Sequence, residues 1–462
     1  MRISPKGLSA AIALAVVSSG VTSQVQASGF ALIENSASGM GNAFAGGSAI
    51  ADDASTVYFN PAGMTRLSGS QIIVAGHFIS TAADYTDTGS TTNPLLPGGG
   101  GSLPGSNDDG GTSSLVPNFY YVTELGNDSF FGIGITVPFG LATEYDDGWV
   151  GRYTAVDSEV QTININPSFA ARATDKLSVG FGLSIQYIEA TLSNQLDSAA
   201  ICLKATASVD LTTCNTLMGT TATLASEPLD SSQSLSGDDW SIGWNIGVLY
   251  DLDEKSRLGV AYRSSVKQDL EGEVDFTQSA ALTNFLTAVV SPLFVDTGIT
   301  ASIELPETLS ASYYRDVNDK LALMADITWT RWSNFDELVI NFDNSQPTAT
   351  IPENWDDSYR FALGINYRQD SSMIYRAGIA YDQTPIPSAE DRTPRIPGDN
   401  RTWLSFGLGY NFSADMSMDI GYSHLFVSDT DINNTDASFE HTVTGTYEAD
   451  VNILSAQLNF NF

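Results

Sequence analysis

The residues best suited to bind a charged ligand are arginines that recur on one face of alternating segments: Arg172, Arg263, Arg360 and Arg376. An anion that is buried away from water needs a cation or several hydrogen-bond donors, and a guanidinium supplies both. Aspartates with the same parity offer these arginines a purely structural role in ion pairs; they are Asp326, Asp382 and Asp419. We take Arg263, Arg360 and Arg376 as candidate ligand-binding cations, with ion pairing as the alternative.

Catalysis and metal binding need residue types that are scarce in this chain. It contains three histidines (His77, His424 and His441) and two cysteines (Cys202 and Cys214). No histidine has a convincing nucleophile or carboxylate partner, and these few residues do not form a metal-ligand pattern. The sequence therefore predicts no enzyme, no metal site and no cofactor. In an oxidising compartment the two cysteines would form a disulfide, with free thiols as the alternative.

The first 27 residues have the pattern of a cleaved export signal. Arg2 and Lys6 precede an apolar stretch over 8–17, and Val25-Gln26-Ala27 fits a small-residue cleavage site. The mature chain would then start at Ser28. The formal net charge is −34, and the signal holds two positive charges and no negative ones, so the mature chain would carry about −36. This sign of charge repels phosphates and excludes nucleic acid as a partner.

From residue 67 onward, apolar residues alternate with small or polar ones at a period of two. Clear examples are 131–137, 177–187, 240–250 and 454–462. Strands of a membrane barrel need this pattern, because alternate side chains face the lipid and the lumen. The apolar faces end in Tyr, Trp or Phe, which is typical of aromatic girdles. No run of 18 apolar residues is present, so we expect no transmembrane helix. A secreted soluble β-protein is the compositional alternative.

The connections between these segments alternate in length. Short ones occur at 126–128, 174–175, 251–255, 316–319, 369–372 and 413–415. Long ones occur at 81–114, 144–158, 195–234, 277–300, 343–351, 384–400 and 429–442. These connections join fourteen antiparallel strands, with short turns on the periplasmic side and long loops outside. The sequence therefore predicts an all-β fold, a 14-stranded transmembrane barrel over 67–462.

The segment 28–66 precedes the strands and is rich in Gly, Ala and Ser. Small residues let backbones approach closely, which indicates a segment packed inside another structure. It contains GF at 29–30, SGMGNAFAG at 38–46, AIADDAS at 49–55 and NPAGM at 60–64. With these motifs the chain resembles the FadL family of Gram-negative outer-membrane channels for long-chain fatty acids and other hydrophobic compounds. The resemblance implies that 28–66 is a plug in the lumen; a mobile N-terminal arm is the alternative.

Two short motifs are candidates for a gate and an exit. Asn60-Pro61-Ala62 would form a fixed turn where the plug meets the first strand. Pro138-Phe139-Gly140 would break the third strand, because proline donates no ladder hydrogen bond and glycine weakens a strand. By resemblance, the first helps to shut the lumen and the second is a lateral opening into the bilayer. An ordinary turn and an ordinary bulge at the barrel rim are the alternatives.

The fourth long loop contains apolar residues at the spacing of one helix face: Leu282, Phe285, Leu286, Val289, Val290, Leu293 and Phe294. They predict an amphipathic helix of about three turns. Either the stripe packs on the third long loop, or it lines an external groove that captures hydrophobic substrates. Burial of each CH₂ group in such a groove would contribute roughly 0.8 kcal/mol. The resemblance implies a low-affinity groove formed by such loops.

We therefore expect an outer-membrane channel for passive uptake of long-chain fatty acids or similar hydrophobic compounds. The family's ligand pocket uses basic residues near the end of the fifth strand and before the tenth. Here those stretches read TLSNQLD (191–197) and PENWDD (352–357), without Lys or Arg. A neutral aromatic or aliphatic hydrocarbon is thus the alternative substrate, and a general diffusion porin the alternative class. Expected partners are hydrophobic small molecules, outer-membrane lipid and lipopolysaccharide, and we expect a monomer.

Overall fold

Antiparallel strands that close into a barrel make up most of the protein. The computed structural model describes residues 29–206, 210–221 and 223–462; the predicted export signal lies outside them. The first strand, β1 (Ser70–Asp87), pairs with β2 (Ser113–Gly126) on one side. On the other side β1 pairs with the last strand, β20 (Thr442–Asn461). Because the first and last strands pair, the sheet closes on itself.

The other strands are β3 (Ser129–Thr136), β4 (Gly140–Glu144), β5 (Asp157–Arg172), β6 (Leu177–Leu196), β7 (Ser231–Asp251), β8 (Ser256–Arg263), β9 (Val266–Thr277), β10 (Thr297–Leu305), β11 (Thr308–Asp316), β12 (Leu321–Thr330), β13 (Glu337–Phe342), β14 (Ala349–Pro352), β15 (Ser358–Arg368), β16 (Met373–Asp382), β17 (Arg401–Asn411), β18 (Met416–Val427) and β19 (Thr430–Thr435). Six of the barrel strands are interrupted, and each of these consists of two consecutive segments: β3/β4, β8/β9, β10/β11, β12/β13, β14/β15 and β18/β19. Within the described ranges the barrel therefore has fourteen antiparallel strands, and the predicted fold class is confirmed.

The two faces of the wall differ as the alternation predicts. In β6, the outward Phe181 is 47% exposed, whereas the inward Ser184 is 1% exposed. Tyr187 and Trp240 are neighbours on the outer face, with ring centroids 5.1 Å apart. With Tyr359 they belong to the outer aromatic girdle, which marks the extracellular surface of the membrane.

The N-terminal segment, residues 29–66, packs against the inner face of the barrel. It contains three short helices, α1 (Ala37–Met40), α2 (Gly47–Ile50) and α3 (Thr56–Phe59), and the 3₁₀ helix η1 (Pro61–Arg66). The approach is so close that barrel glycines are required. A Cβ on Gly259 would lie 1.9 Å from the Ser48 carbonyl oxygen, and one on Gly378 would lie 2.2 Å from the Asn42 carbonyl group. No side chain fits at such distances.

A layer of loops covers the extracellular end. It contains α4 (Ser198–Thr206), α5 (Leu211–Met218), α6 (Ala280–Val289) and two short 3₁₀ helices, η2 (Glu227–Leu229) and η3 (Trp332–Asn334). Cys202 and Cys214 form a disulfide between α4 and α5. In the part of the chain described, no helix has the length and apolar character needed to cross a membrane.

The helix predicted from the apolar stripe in the fourth long loop is shorter than the stripe. It ends at Val289, and Val290 takes a left-handed conformation with φ 54°. Pro292 follows two residues later and disfavours helical conformation in the residue before it. Leu293 and Phe294 therefore lie beyond the helix, and the prediction that they share its face is wrong.

Candidate functional site

An apolar pocket lies between the loop layer and the N-terminal segment, just beyond the outer aromatic girdle. We call it the loop-side pocket. It contains about 840 Å³ of space not occupied by protein atoms, part of it open to solvent. Its apolar lining comprises Phe30, Leu141, Val160, Ile188, Ala190, Leu192, Leu235, Leu270, Ile299, Ala301, Ile303, Phe335, Leu338, Ile340 and Ile396. A lining of this kind suits an acyl chain or another hydrocarbon.

Phe30 connects this pocket to the N-terminal segment. Its ring lies 4.9 Å from that of Trp332 and 6.0 Å from that of Phe139, measured between centroids. Gly29 has φ 61°, and a Cβ there would lie 2.7 Å from Trp332 and Trp355 ring atoms. The GF motif thus combines a left-handed turn that fits between two indoles with an aromatic ring that contributes to the pocket wall.

Two charged residues join the lining, and the sequence did not single out either of them. Arg395, in the loop between β16 and β17, donates through Nη1 to the Ser158 hydroxyl at 2.9 Å and the Asp157 carbonyl at 3.0 Å. Its Nη2 donates to the Thr154 carbonyl at 2.7 Å and the Ser193 carbonyl at 3.2 Å. Glu353 lies beyond Tyr359, on the extracellular side of the girdle. Glu353 is acidic and so does not fit the pattern of basic residues expected in PENWDD, and Arg395 belongs to a loop without alternation.

Burial shifts the pKa values of both charged groups. It raises the pKa of Glu353 to about 8, against the opposing influence of Arg395. It also lowers the pKa of Arg395 to about 10, while Glu353, Asp157 and Tyr145 act in the opposite direction. At pH 7 the pocket therefore holds the positive charge of Arg395 beside a mostly neutral carboxyl group, and this net positive charge is electrostatically favourable for an anion.

The barrel wall has a gap beside the third strand. Pairing of β2 with β3 ends at Phe119 opposite Ile135, and β4 pairs with β5 alone among the described strands. Between β3 and β4, the Phe139 N–H donates to the Thr162 hydroxyl at 3.0 Å, and that hydroxyl donates to the Phe139 carbonyl. The break thus occurs at Pro138-Phe139-Gly140 and leaves one edge of β4 without a neighbouring barrel strand.

The N-terminal segment pairs with the kink and with Gly140, the first residue of that free edge. The Leu32 N–H donates to the Pro138 carbonyl at 2.8 Å, and the Gly140 N–H donates to the Phe30 carbonyl at 2.9 Å. Ala31 is therefore paired with Phe139 in an antiparallel bridge. Segment and kink are joined by backbone hydrogen bonds, so a displacement of the segment would expose the gap.

Asn60-Pro61-Ala62 anchors the other end of the segment. The Asn60 side chain accepts from the Ala62 N–H and donates to the Ser48 carbonyl at 2.7 Å and to the Val248 carbonyl at 3.0 Å. Pro61 begins η1, where its missing N–H costs no helical hydrogen bond. This motif ties the segment to strand β7.

The three candidate arginines have different surroundings. Arg376 is in an ion pair with Asp419 at 2.6 Å, which is the structural role named as the alternative. Arg263 donates to the Ser184 hydroxyl and the Tyr58 carbonyl. Arg360 donates through Nη2 to the Ala43 carbonyl, but its Nε and Nη1 meet no acceptor in the described chain. Arg263 and Arg360 line a second cavity, whose lining is mainly apolar and includes Ala31 and Leu32 of the N-terminal segment.

The stripe of the fourth long loop divides into buried and exposed parts. Leu282, Phe285 and Leu286 are buried in one cluster with residues of α4 and α5, so they pack on the third long loop. Val290 is 87% exposed, and Val289 is also exposed. Phe294 packs edge-on against Phe276. An external groove would have to use the exposed end of α6 rather than its buried face.

Comparisons with known proteins agree with this architecture. Residues 18–462 match the family described as outer membrane protein transport protein (OMPP1/FadL/TodX). The chain is 34% identical to a long-chain fatty acid transport protein of Escherichia coli O6:H1, over 92% of both chains. It is 30% identical to outer membrane protein P1 of Haemophilus influenzae, over 94% of this chain and 95% of the relative.

Solved structures share the fold. A Pseudomonas aeruginosa FadL homologue superposes with a TM-score of 0.83 at 24% identity, over 94% of this chain and 99% of the other. The Pseudomonas putida toluene transporter TodX superposes with a TM-score of 0.68 at 19% identity, over the same shares. The chain belongs to the OMPP1/FadL/TodX family of outer-membrane transport proteins.

Proposed function

We propose that this protein takes up long-chain fatty acids, or similar hydrophobic compounds, across the outer membrane by passive diffusion. The position of Phe30 supports this proposal most directly. This residue lines the loop-side pocket, and it belongs to the N-terminal segment that pairs with the kink. A ligand in the pocket therefore contacts the part of the chain that covers the gap. Relatives named as long-chain fatty acid transport proteins support this reading.

Capture would begin in the loop layer and end in the loop-side pocket. The exposed end of α6, at Val289 and Val290, offers the first apolar contact. The acyl chain then exchanges water for the aliphatic lining, and each buried CH₂ contributes roughly 0.8 kcal/mol. A carboxylate would lie beside Arg395 and the mostly neutral Glu353. Arg395 would then supply the positive charge that TLSNQLD and PENWDD lack.

Release would occur sideways through the gap between β2 and β4. When Phe30 and Leu32 leave the edge of β4, an apolar ligand can pass from the lumen into the outer leaflet without crossing the periplasm. The packed N-terminal segment argues against a general diffusion porin, which needs an open aqueous lumen.

We also propose a monomer, a cleaved export signal, and contact of the outer wall with lipopolysaccharide. The signal proposal rests on the pattern of residues 1–27, and the lipid proposal on the exposed aromatic side chains of the outer wall.

Filling the loop-side pocket tests the proposal. Ala301 lines it, so Ala301→Trp should block it, whereas Ala301→Ser keeps its volume. Each variant would be expressed in an outer membrane without its own fatty-acid channel and supplied with labelled oleate and, separately, toluene. We expect Ala301→Trp to reduce oleate uptake about tenfold and Ala301→Ser to retain it.

The outcomes separate the alternatives. Toluene uptake without oleate uptake by the unmodified protein would move the substrate class to neutral hydrocarbons. Free passage of small sugars with no uptake of either compound would support a porin and contradict the proposal.

A further inference from the structure

Four buried residues of the barrel wall carry polar atoms that the proposed uptake route leaves unused. Burial alternates along their strands, which places these side chains on the lumen face, and none is more than 2% exposed. The residues are Thr136, Asn164, Gln186 and Gln268. A buried polar group without a hydrogen bond is costly, so their grouping calls for an explanation.

The four residues form one row across adjacent strands. Thr136, the last residue of β3, is in register with Asn164 on β5, and Asn164 is in register with Gln186 on β6. The Nε2 atom of Gln268, on β9, lies 3.5 Å from the Gln186 carbonyl oxygen. Because neighbouring strands are about 4.8 Å apart, side chains at one register position adjoin each other. We call these four residues the polar row.

The polar row lies between the two cavities. On β6, Ile188 lines the loop-side pocket and is the next inward residue after Gln186. On β7, Ser241 is in register with Gln186. Gly237 of the loop-side pocket and Asn245 of the second cavity lie on either side of Ser241, at equal separations along the strand. A ligand that moves from the loop-side pocket into the second cavity therefore passes the polar row.

The unpartnered atoms of the row include both donors and acceptors. Within the described chain, the buried atoms without a partner are Nδ2 and Oδ1 of Asn164, Nε2 of Gln186, Oε1 of Gln268 and Oγ1 of Thr136. The row carries no formal charge, so it matches a neutral group that itself donates and accepts, such as a hydroxyl or a carboxamide. A carboxylate only accepts, and it would place its negative charge against two amide oxygens.

The cation of the loop-side pocket lies at the opposite end. Arg395 donates to the Ser193 carbonyl at 3.2 Å. On β6, Ser193 is seven residues from Gln186, a separation of about 23 Å at the usual rise of a strand. The pocket therefore has a charged end at Arg395 and a neutral polar end at the row.

We propose that the polar row binds the neutral head group of a long-chain amphiphile, a hydroxyl or a carboxamide. This inference rests on the proposed uptake function and widens its substrate class beyond fatty acids. With the head group on the row, the chain extends into the loop-side pocket along Ile188 and Leu270. A neutral amphiphile thus lies in the direction opposite to a fatty acid, whose carboxylate binds near Arg395.

The test measures the binding of four ligands of equal chain length to the purified full-length protein: oleamide, oleyl alcohol, oleate and 1-octadecene. Gln268→Leu removes one amide of the row at nearly constant volume. It should lower the affinity for oleamide and oleyl alcohol about tenfold, because a hydrogen bond to a buried group is worth about that factor. The affinities for oleate and 1-octadecene should stay unchanged. Asn164→Leu should have the same effect, since it removes a donor and an acceptor of the same row.

Gln233→Leu is the matched control. Gln233 is also an inward glutamine, on β7, but its Nε2 donates to Oδ1 of Asn194 at 2.9 Å, so its replacement should change no ligand's affinity. Gln268→Leu should retain the unmodified protein's resistance to heat, because an unpartnered amide does not stabilise the fold. Migration of unheated and heated protein on a denaturing gel measures this resistance. If Gln268→Leu does not fold, Gln268→Met carries the comparison with an unbranched side chain.

The outcomes distinguish this inference from the uptake function. Lower affinity for one neutral ligand alone would assign the row to that head group. Equal loss of oleate and oleamide in Gln268→Leu would overturn the site, as would equally tight binding of 1-octadecene and the neutral amphiphiles by the unmodified protein. Binding of oleate without either neutral amphiphile would also overturn it and leave the uptake function standing. An unmodified protein that binds none of the four ligands would contradict the uptake function itself.

Discussion

At the scale of single residues, the loop-side pocket depends on a carboxyl group whose charge is suppressed. Glu353 is buried beside Arg395, and its raised pKa of about 8 keeps it mostly protonated at pH 7. An ionised Glu353 would neutralise Arg395 and repel an anionic ligand. In the proposed function, burial favours binding of a fatty-acid carboxylate because it holds the proton on Glu353, and this favourable state is lost as the pH rises through about 8.

The raised pKa of Glu353 predicts a pH-dependent affinity for oleate. Oleate binding to the purified protein should weaken roughly tenfold between about pH 7 and 9, while oleyl alcohol binding stays constant. Glu353→Gln should bind oleate with little change over the same range. Ligand-displacement fluorescence measures both. An oleate affinity that falls equally in the Gln variant would show that Glu353 is not the titrating group.

At the scale of elements, α6 shows why an apolar stripe does not define a helix. The helix α6 agrees with the apolar spacing from Leu282 to Val289, but it ends there and the chain turns at Val290. The helix has no glycine or asparagine at its C-terminal end, so Pro292 is the one residue there that indicates where the helix stops. The third-strand break was easier to foresee, since proline and glycine have direct backbone consequences there.

The buried half of α6 should hold the loop layer together. Phe285→Asp places a charge in the cluster shared with α4 and α5 and should cost about 3–5 kcal/mol of local stability. Val290→Asp is the control, because that side chain is exposed. Protease added to intact cells should cut the third or fourth long loop in the first variant only. Equal resistance of both variants would contradict a packing role for Phe285.

At the scale of the whole molecule, the barrel could be foreseen because each of its strands carries the same local pattern. Alternation, aromatic ends and turn lengths are encoded within short stretches, so fourteen strands and their topology follow from the sequence. The charged part of the loop-side pocket could not, because Glu353 and Arg395 lie in two irregular stretches that only the folded chain brings together.

In the proposed mechanism, the N-terminal segment must leave the kink for a ligand to pass. Ala31 and Phe139 form a non-hydrogen-bonded antiparallel pair, since the flanking residues make the hydrogen bonds. The Cα atoms of such pairs are about 4.5 Å apart, which suits a disulfide.

The most direct measurement is oleate uptake by an Ala31→Cys, Phe139→Cys double variant before and after reduction. Phe139→Cys alone and the unmodified protein serve as controls, because reduction also opens Cys202–Cys214. We predict that the oxidised double variant takes up no more oleate than membranes without the protein, and that reduction restores the level of Phe139→Cys. Equal uptake by the oxidised and reduced forms would contradict the account.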